Sequence, residues 1–190
     1  MDVQREREPG MDVRQAREPA RQIHSRGWHQ VMDWQAALWA GLLAGALLLL
    51  VLLVGYPLLT GGSSWTVLRF VAAMVLGTAV LPPPATFAAG TAVVGLLVHF
   101  GLSVLYTVVL ALIIHRWGVV VGFLGGALYG GALFLINFFT FTTLFPWFYP
   151  LRSWPFLLLH LFFGAVAGGI YELLEQEKYV ESVADEWGLD

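Results

Sequence analysis

Cysteine is absent from the 190-residue chain. Its absence excludes disulfides, thiolate metal sites, a covalent c-type haem and cysteine nucleophiles, and leaves the redox compartment open. Charge is scarce in the same selective way: between Trp34 and Tyr171 the only Asp, Glu, Lys or Arg residues are Arg69, Arg116 and Arg152. Charged residues make up 12% of the chain against 58% hydrophobic, and the mean hydropathy is +0.72. Soluble domains run near a quarter charged, so the composition argues against an ordinary soluble enzyme and indicates a membrane protein. The glycine-lysine phosphate loop, the His-Glu-x-x-His pair, the EF-hand loop and the Gly-x-Ser-x-Gly elbow are missing as well, leaving no recognisable machinery for turnover. The clustered arginines alternate with acids in the N-terminal tail, which gives no footprint for nucleic acid.

What charge there is sits in the tails. The first 33 residues hold six Arg against six acids, and residues 171–190 hold Lys178 against seven acids. The start is duplicated: Met1-Asp2-Val3 with Arg7-Glu8-Pro9 returns as Met11-Asp12-Val13 with Arg17-Glu18-Pro19, which also permits initiation at Met11. Balanced charge, proline and few large apolar residues predict a disordered tail over residues 1–20. No signal-peptide pattern is present, because the first hydrophobic stretch is too long and lacks a small-residue cleavage site. Residues 21–35 set Ile23, Trp28, Val31, Met32 and Trp34 among polar groups, the pattern of an interfacial segment.

A bilayer core about 30 Å thick needs about 20 apolar residues per helix, because unpaired backbone groups are not tolerated in hydrocarbon. Four stretches qualify, 36–56, 89–114, 118–140 and 154–174. Residues 66–81 are apolar but short, contain Arg69 and stop at Pro82-Pro83-Pro84, which predicts a re-entrant or surface helix. The expected fold is therefore all-α and polytopic, a four-helix transmembrane domain over 36–174. With four spans, eight Lys and Arg residues flank one side against two on the other; the excess marks the cytoplasmic side and predicts cytoplasmic N and C termini in a bacterial inner membrane. A fifth span would reduce the split to seven against three. Trp34, Trp39, Trp117 and Tyr171 are expected at the inner boundary, and Tyr56, Trp65, Trp147, Tyr149 and Trp154 at the outer one.

Helices in lipid associate through small residues that let backbones approach. Ala37, Gly41 and Gly45 form such a stripe in the first span, Gly122, Gly126 and Gly130 in the third, and Gly164 and Gly168 in the fourth, with Ser103 and Thr107 in the second. Beyond the last span, Leu173, Gln176, Val180, Val183 and Trp187 recur at helical spacing, which predicts an acidic amphipathic tail over 175–190 that continues the helix. Its apolar edge suits docking on protein better than an anionic membrane surface, and a solvated tail is the alternative.

Polar groups inside spans are costly and therefore informative. His99 shares a helical face with Ser103 and Tyr106, His160 with Gly164, Gly168 and Tyr171, and Asn137 lies on the glycine face of the third span. At 1.5 Å per residue, His99 lies about 15 Å, His160 about 9 Å and Asn137 about 5 Å from the outer ends of their spans. Tilt of the long second span brings the two histidines closer in depth. Several readings remain open for them: neutral imidazoles tying helices together, bis-histidine ligation of a haem b, a protonatable relay extended by Tyr106, Tyr129 or Tyr171, or a lipid, quinone or pigment contact that needs no ligand from these residues. No cofactor is required by the pattern. The segment 138–155 concentrates eight aromatic residues with Pro146, Pro150 and Pro155, predicting an ordered outer loop whose Trp147, Tyr149, Arg152 and Trp154 contact headgroups or a neighbouring protein. Arg152 is expected there as a phosphate anchor.

From Val98 to Glu172 the chain carries His99-Phe100-Gly101 leading to Tyr106, then Gly125-Gly126-Ala127-Leu128-Tyr129-Gly130, then His160-Leu161-Phe162-Phe163-Gly164 leading to Gly168 and Tyr171-Glu172. This pattern resembles the YagU-like bacterial inner-membrane proteins over about residues 36–174, with Ser103 where a glycine is expected. The resemblance implies four spans with a short extra helix after the first, and a loose association with acid resistance. The expected role is non-catalytic: an accessory or scaffold subunit contacting membrane lipid and other membrane-protein subunits. A redox subunit using His99 and His160, and a small transporter or proton-pathway protein, are the competing classes.

Overall fold

The computed structural model describes residues 28–115, 117–176 and 178–181. Its helices are α1 (Trp34–Thr60), α2 (Trp65–Leu76), α3 (Ala89–Ile114), α4 (Val119–Leu135) and α5 (Trp154–Leu174). Four stretches are helical, long and apolar enough to cross a membrane, α1, α3, α5, and α4 with its continuation to Thr143. The chain is accordingly a multi-pass membrane protein, and α2 is the expected shorter helix after the first span. At 12 residues, α2 is about 18 Å long and too short to cross.

The chain divides into two units, Gln30–Lys178 and the two terminal segments Met1–His29 with Tyr179–Asp190. What is described of the terminal segments belongs to two short strands, β1 (Trp28–Val31) and β2 (Lys178–Glu181), which pair as a two-stranded sheet. The expected continuation of the last span is corrected here. Helix α5 ends at Leu174, Glu175 turns to an extended ψ of 127°, and the strand-favouring pair Tyr179-Val180 lies in β2. Residues 1–27, Arg116, Glu177 and 182–190, among them the duplicated start and Trp187, lie outside the described residues.

Asp33 opens α1 as its N-cap, accepting from the amides of Gln35 at 3.0 Å and Ala36 at 3.3 Å. The helix runs past the boundary expected at Tyr56 and includes Pro57. Proline in the last turn removes one hydrogen bond and leaves the rest of the helix intact. Gly61, at φ 68°, then caps the helix by donating to Pro57.

The small-residue stripes form the contacts between helices. The most extensive interface is α4 on α5, where a Cβ at Gly126 would collide with the Gly164 carbonyl and one at Gly164 with the Gly126 carbonyl. Gly122 and Gly168 stand in the same reciprocal relation, and a Cβ at Gly130 would meet the His160 carbonyl. Between α1 and α3, a Cβ at Gly41 would lie 2.7 Å from Val104 Cα and one at Gly45 would lie 2.8 Å from Ser103 Oγ. Backbones at this separation gain dispersion contact along their whole length, the principal adhesive available within lipid. The main core gathers Ala37, Ala40, Leu110, Ile114, Phe163 and Tyr171. Tyr171 is fully buried and donates to Glu175 Oε1 at 2.9 Å, so it is an internal prop and not the boundary anchor expected from the sequence. Trp34, Trp39 and Trp117 are exposed.

Candidate functional site: a polar cluster under an aromatic roof

Helix α4 does not reach Thr140 as regular α-helix. It passes into a π-helical turn at Ile136–Thr140 and a short tight turn at Phe141–Thr143. Widening the helix frees backbone carbonyls, and Arg152 takes one of them. Its Nε donates to Phe138 O at 2.9 Å, its guanidinium also reaches Phe138 O through a second nitrogen, and it touches Thr142 Oγ1 at 3.2 Å. The same guanidinium lies 4.0 Å above the Phe139 ring and 4.7 Å from Tyr149. Arg152 thus binds the loop to itself. Arg69 behaves similarly, donating to Thr86 O and Val80 O at 2.9 Å each.

The loop after α4 folds back over the bundle. Trp147 turns inward and donates its indole proton to Phe70 O on α2 at 3.0 Å, while Tyr149 and Trp154 remain exposed. Loop and α2 together roof the end of the bundle at which α3 begins, and Phe134, Phe138 and Leu151 form a second buried cluster beneath them.

Under this roof the structure brings together the polar residues singled out in the spans. His99, Ser103, Tyr106, Asn137 and His160 all line one cavity of about 150 Å³. Their bonds run in a defined order. Tyr106 donates to Asn137 Oδ1 at 2.9 Å, and Asn137 Nδ2 lies 3.4 Å from His160 Nε2. His160 Nδ1 sits 2.8 Å from Phe156 O. A carbonyl accepts only, so Nδ1 carries the proton and Nε2 is left to accept from the amide. On α3, His99 Nε2 donates to Gly45 O of α1 at 2.9 Å. Ser103 returns its proton to His99 O and Thr107 to Ser103 O, each at 2.8 Å. Tyr129 adds a bond to Tyr106 O at 3.0 Å. The ring of His160 packs edge-on to Phe134 and Phe138, with centroids 5.7 Å and 5.3 Å away.

His99 is therefore hydrogen-bonded across to α1, and His160 faces Asn137 of the π-helical turn. Bis-histidine ligation of haem would need a free, facing ring nitrogen from each imidazole, yet His99 Nε2 is spent on Gly45 and His160 Nε2 faces Asn137. The cavity is also a small fraction of a porphyrin's volume, so these residues do not fit that group. Asn137, placed on the inward glycine face by the sequence, joins α3 to α5 from within the π-helical turn. Trp147 was read as an outward contact because nothing in its neighbourhood announces Phe70, 77 residues away. No family model matches the chain, and neither a curated protein nor a solved structure matches it.

Proposed function

We infer that this multi-pass protein is a non-catalytic accessory or scaffold subunit that packs against a larger assembly in a bacterial inner membrane, with both termini cytoplasmic. The observation that carries this reading is an open groove on the lipid-facing side of α1 and α3. Leu42, Val93, Leu97, Phe100 and Val104 wall it, and Gly101 faces outward from it with nothing within 4 Å of where a Cβ would lie. At Gly41, Gly95, Gly126 and Gly164 a second backbone comes close, and Gly101 leaves room for a transmembrane helix of another subunit to do the same.

A Gly101→Cys variant tests the reading, since the chain has no other cysteine. In native membranes a short bifunctional crosslinker should join it to a different polypeptide, and the two should leave gentle detergent as one particle. A particle that contains this chain alone at native expression, with no crosslinked product, would overturn the proposal.

A further inference from the structure

The cavity under the aromatic roof has a composition that selects a ligand. Its lining is almost wholly apolar, with Leu52, Val67, Phe138, Phe148 and Phe156 among the side chains around the polar cluster. Among the described residues neither Lys, Arg, Asp nor Glu lines it, and the nearby Arg69 and Arg152 are bound to backbone carbonyls. A charged molecule would have to shed its hydration there with no oppositely charged side chain to replace it, so an uncharged occupant is favoured. At about 150 Å³ the space matches apolar cavities that take up a single benzene-sized ring. The surrounding rings favour a flat guest: Phe138 meets Phe148 and Phe156 edge to face at 6.4 Å and 5.9 Å.

The hydrogen-bond inventory narrows the choice further. The protons of Tyr106, Ser103 and both histidines are committed, but the Asn137 amide has two and aims one, at 3.4 Å, toward His160. Its second proton is a donor for a ring carbonyl. The oxygen of Tyr106 retains a lone pair, an acceptor for a ring hydroxyl. The cavity is not sealed, because Met74 is half-buried and Phe141 is 37% exposed, which leaves a way out for an alkyl tail. The geometry points to a binding site for the head of a lipophilic quinone or quinol, held by Asn137 and Tyr106 between α3, α4 and α5, with its tail leaving past Met74 and Phe141 into lipid. The site binds the ring without reacting with it.

The probe is an alkyl-tailed benzoquinone titrated into the full-length protein in lipid nanodiscs, with empty discs as the baseline. Saturable uptake of one quinone per chain is expected. Asn137→Leu should weaken it roughly threefold to tenfold, the range for loss of one hydrogen bond. Val71→Phe, which fills the cavity from α2, should abolish it. A photoreactive azido analogue should label the wild-type protein within residues 133–163, a readout that does not depend on any variant folding. Uptake that rises without saturation, labelling spread over the lipid-facing helices, or unchanged binding in a folded Val71→Phe would each overturn the proposal. Displacement by a plain long-chain alcohol as readily as by the quinone would also overturn it, since that would make the site one for acyl chains.

Discussion

Tyr106 donates its hydroxyl proton to Asn137 Oδ1 across 2.9 Å, and through it α3 is bonded to the π-helical end of α4. Asn137 then turns its amide toward His160 on α5, so one side chain connects three helices. The arrangement depends on the π-helical turn, and the turn's freed carbonyl depends in turn on Arg152.

Removing either end of the Tyr106–Asn137 bond should destabilise the bundle, and removing the asparagine at least as much because it also faces His160. Tyr106→Phe and Asn137→Leu are each expected to destabilise the bundle by about 1 kcal/mol, with a coupling on the order of 0.6 kcal/mol in the double-mutant cycle. Reversible unfolding in mixed detergent micelles measures this, and a coupling of zero would show that the bond contributes nothing.

His99 ties α3 to α1 through Gly45 O. His99→Leu removes the cross-link and leaves the carbonyl of Gly45 to its own helix, so a loss of about 1 kcal/mol is expected. His99→Gln retains a donor and should recover part of it. Thermal unfolding of the two variants side by side distinguishes this from a simple packing defect, in which both would fall equally.

The glycines differ sharply in what surrounds them. Gly126→Ala forces a methyl group into the Gly164 carbonyl and should destabilise by about 1–3 kcal/mol through overpacking. Gly101→Ala meets open space and should leave the isolated protein within about 0.5 kcal/mol of wild type. Equal effects at both sites would contradict the close crossing of α4 and α5.

Arg152→Lys retains the charge but not the planar fork that reaches Phe138 O and Thr142 while lying over Phe139. Amide exchange over residues 136–144 should accelerate by roughly tenfold, equivalent to about 1.4 kcal/mol of local stability. Unchanged exchange would mean that the π-helical turn holds without it.

The spans were legible because a solvent without hydrogen bonds leaves the backbone few choices. The starts of α3 and α5 and the ends of both fall where the apolar runs begin and end. The stripes at Gly41, Gly126 and Gly164 were legible because small residues at four-residue spacing have few other uses in lipid. The convergence of His99, Asn137 and His160 followed from azimuth and depth alone. The features that escaped are those set by a distant partner: Arg152 capturing Phe138 O, Trp147 reaching Phe70, and Tyr171 held inside by Glu175. The end of α5 escaped for a different reason. Leu173, Gln176 and Val180 fit a helical period, but Lys178-Tyr179-Val180-Glu181 suits a strand equally well, and pairing with β1 is what distinguishes them.

The central claim is that the polar cluster lies in a bundle closed to water, beneath a roof that faces water. Single-cysteine variants labelled with a membrane-impermeant maleimide in intact membranes test it directly, because the chain supplies no background thiol. Tyr149→Cys, in the exposed part of the roof, should label rapidly from one side, and Asn137→Cys should stay unlabelled from both sides until the protein is unfolded. Labelling of Asn137→Cys at a rate near that of Tyr149→Cys would reveal a water-filled path through the cluster and contradict the account.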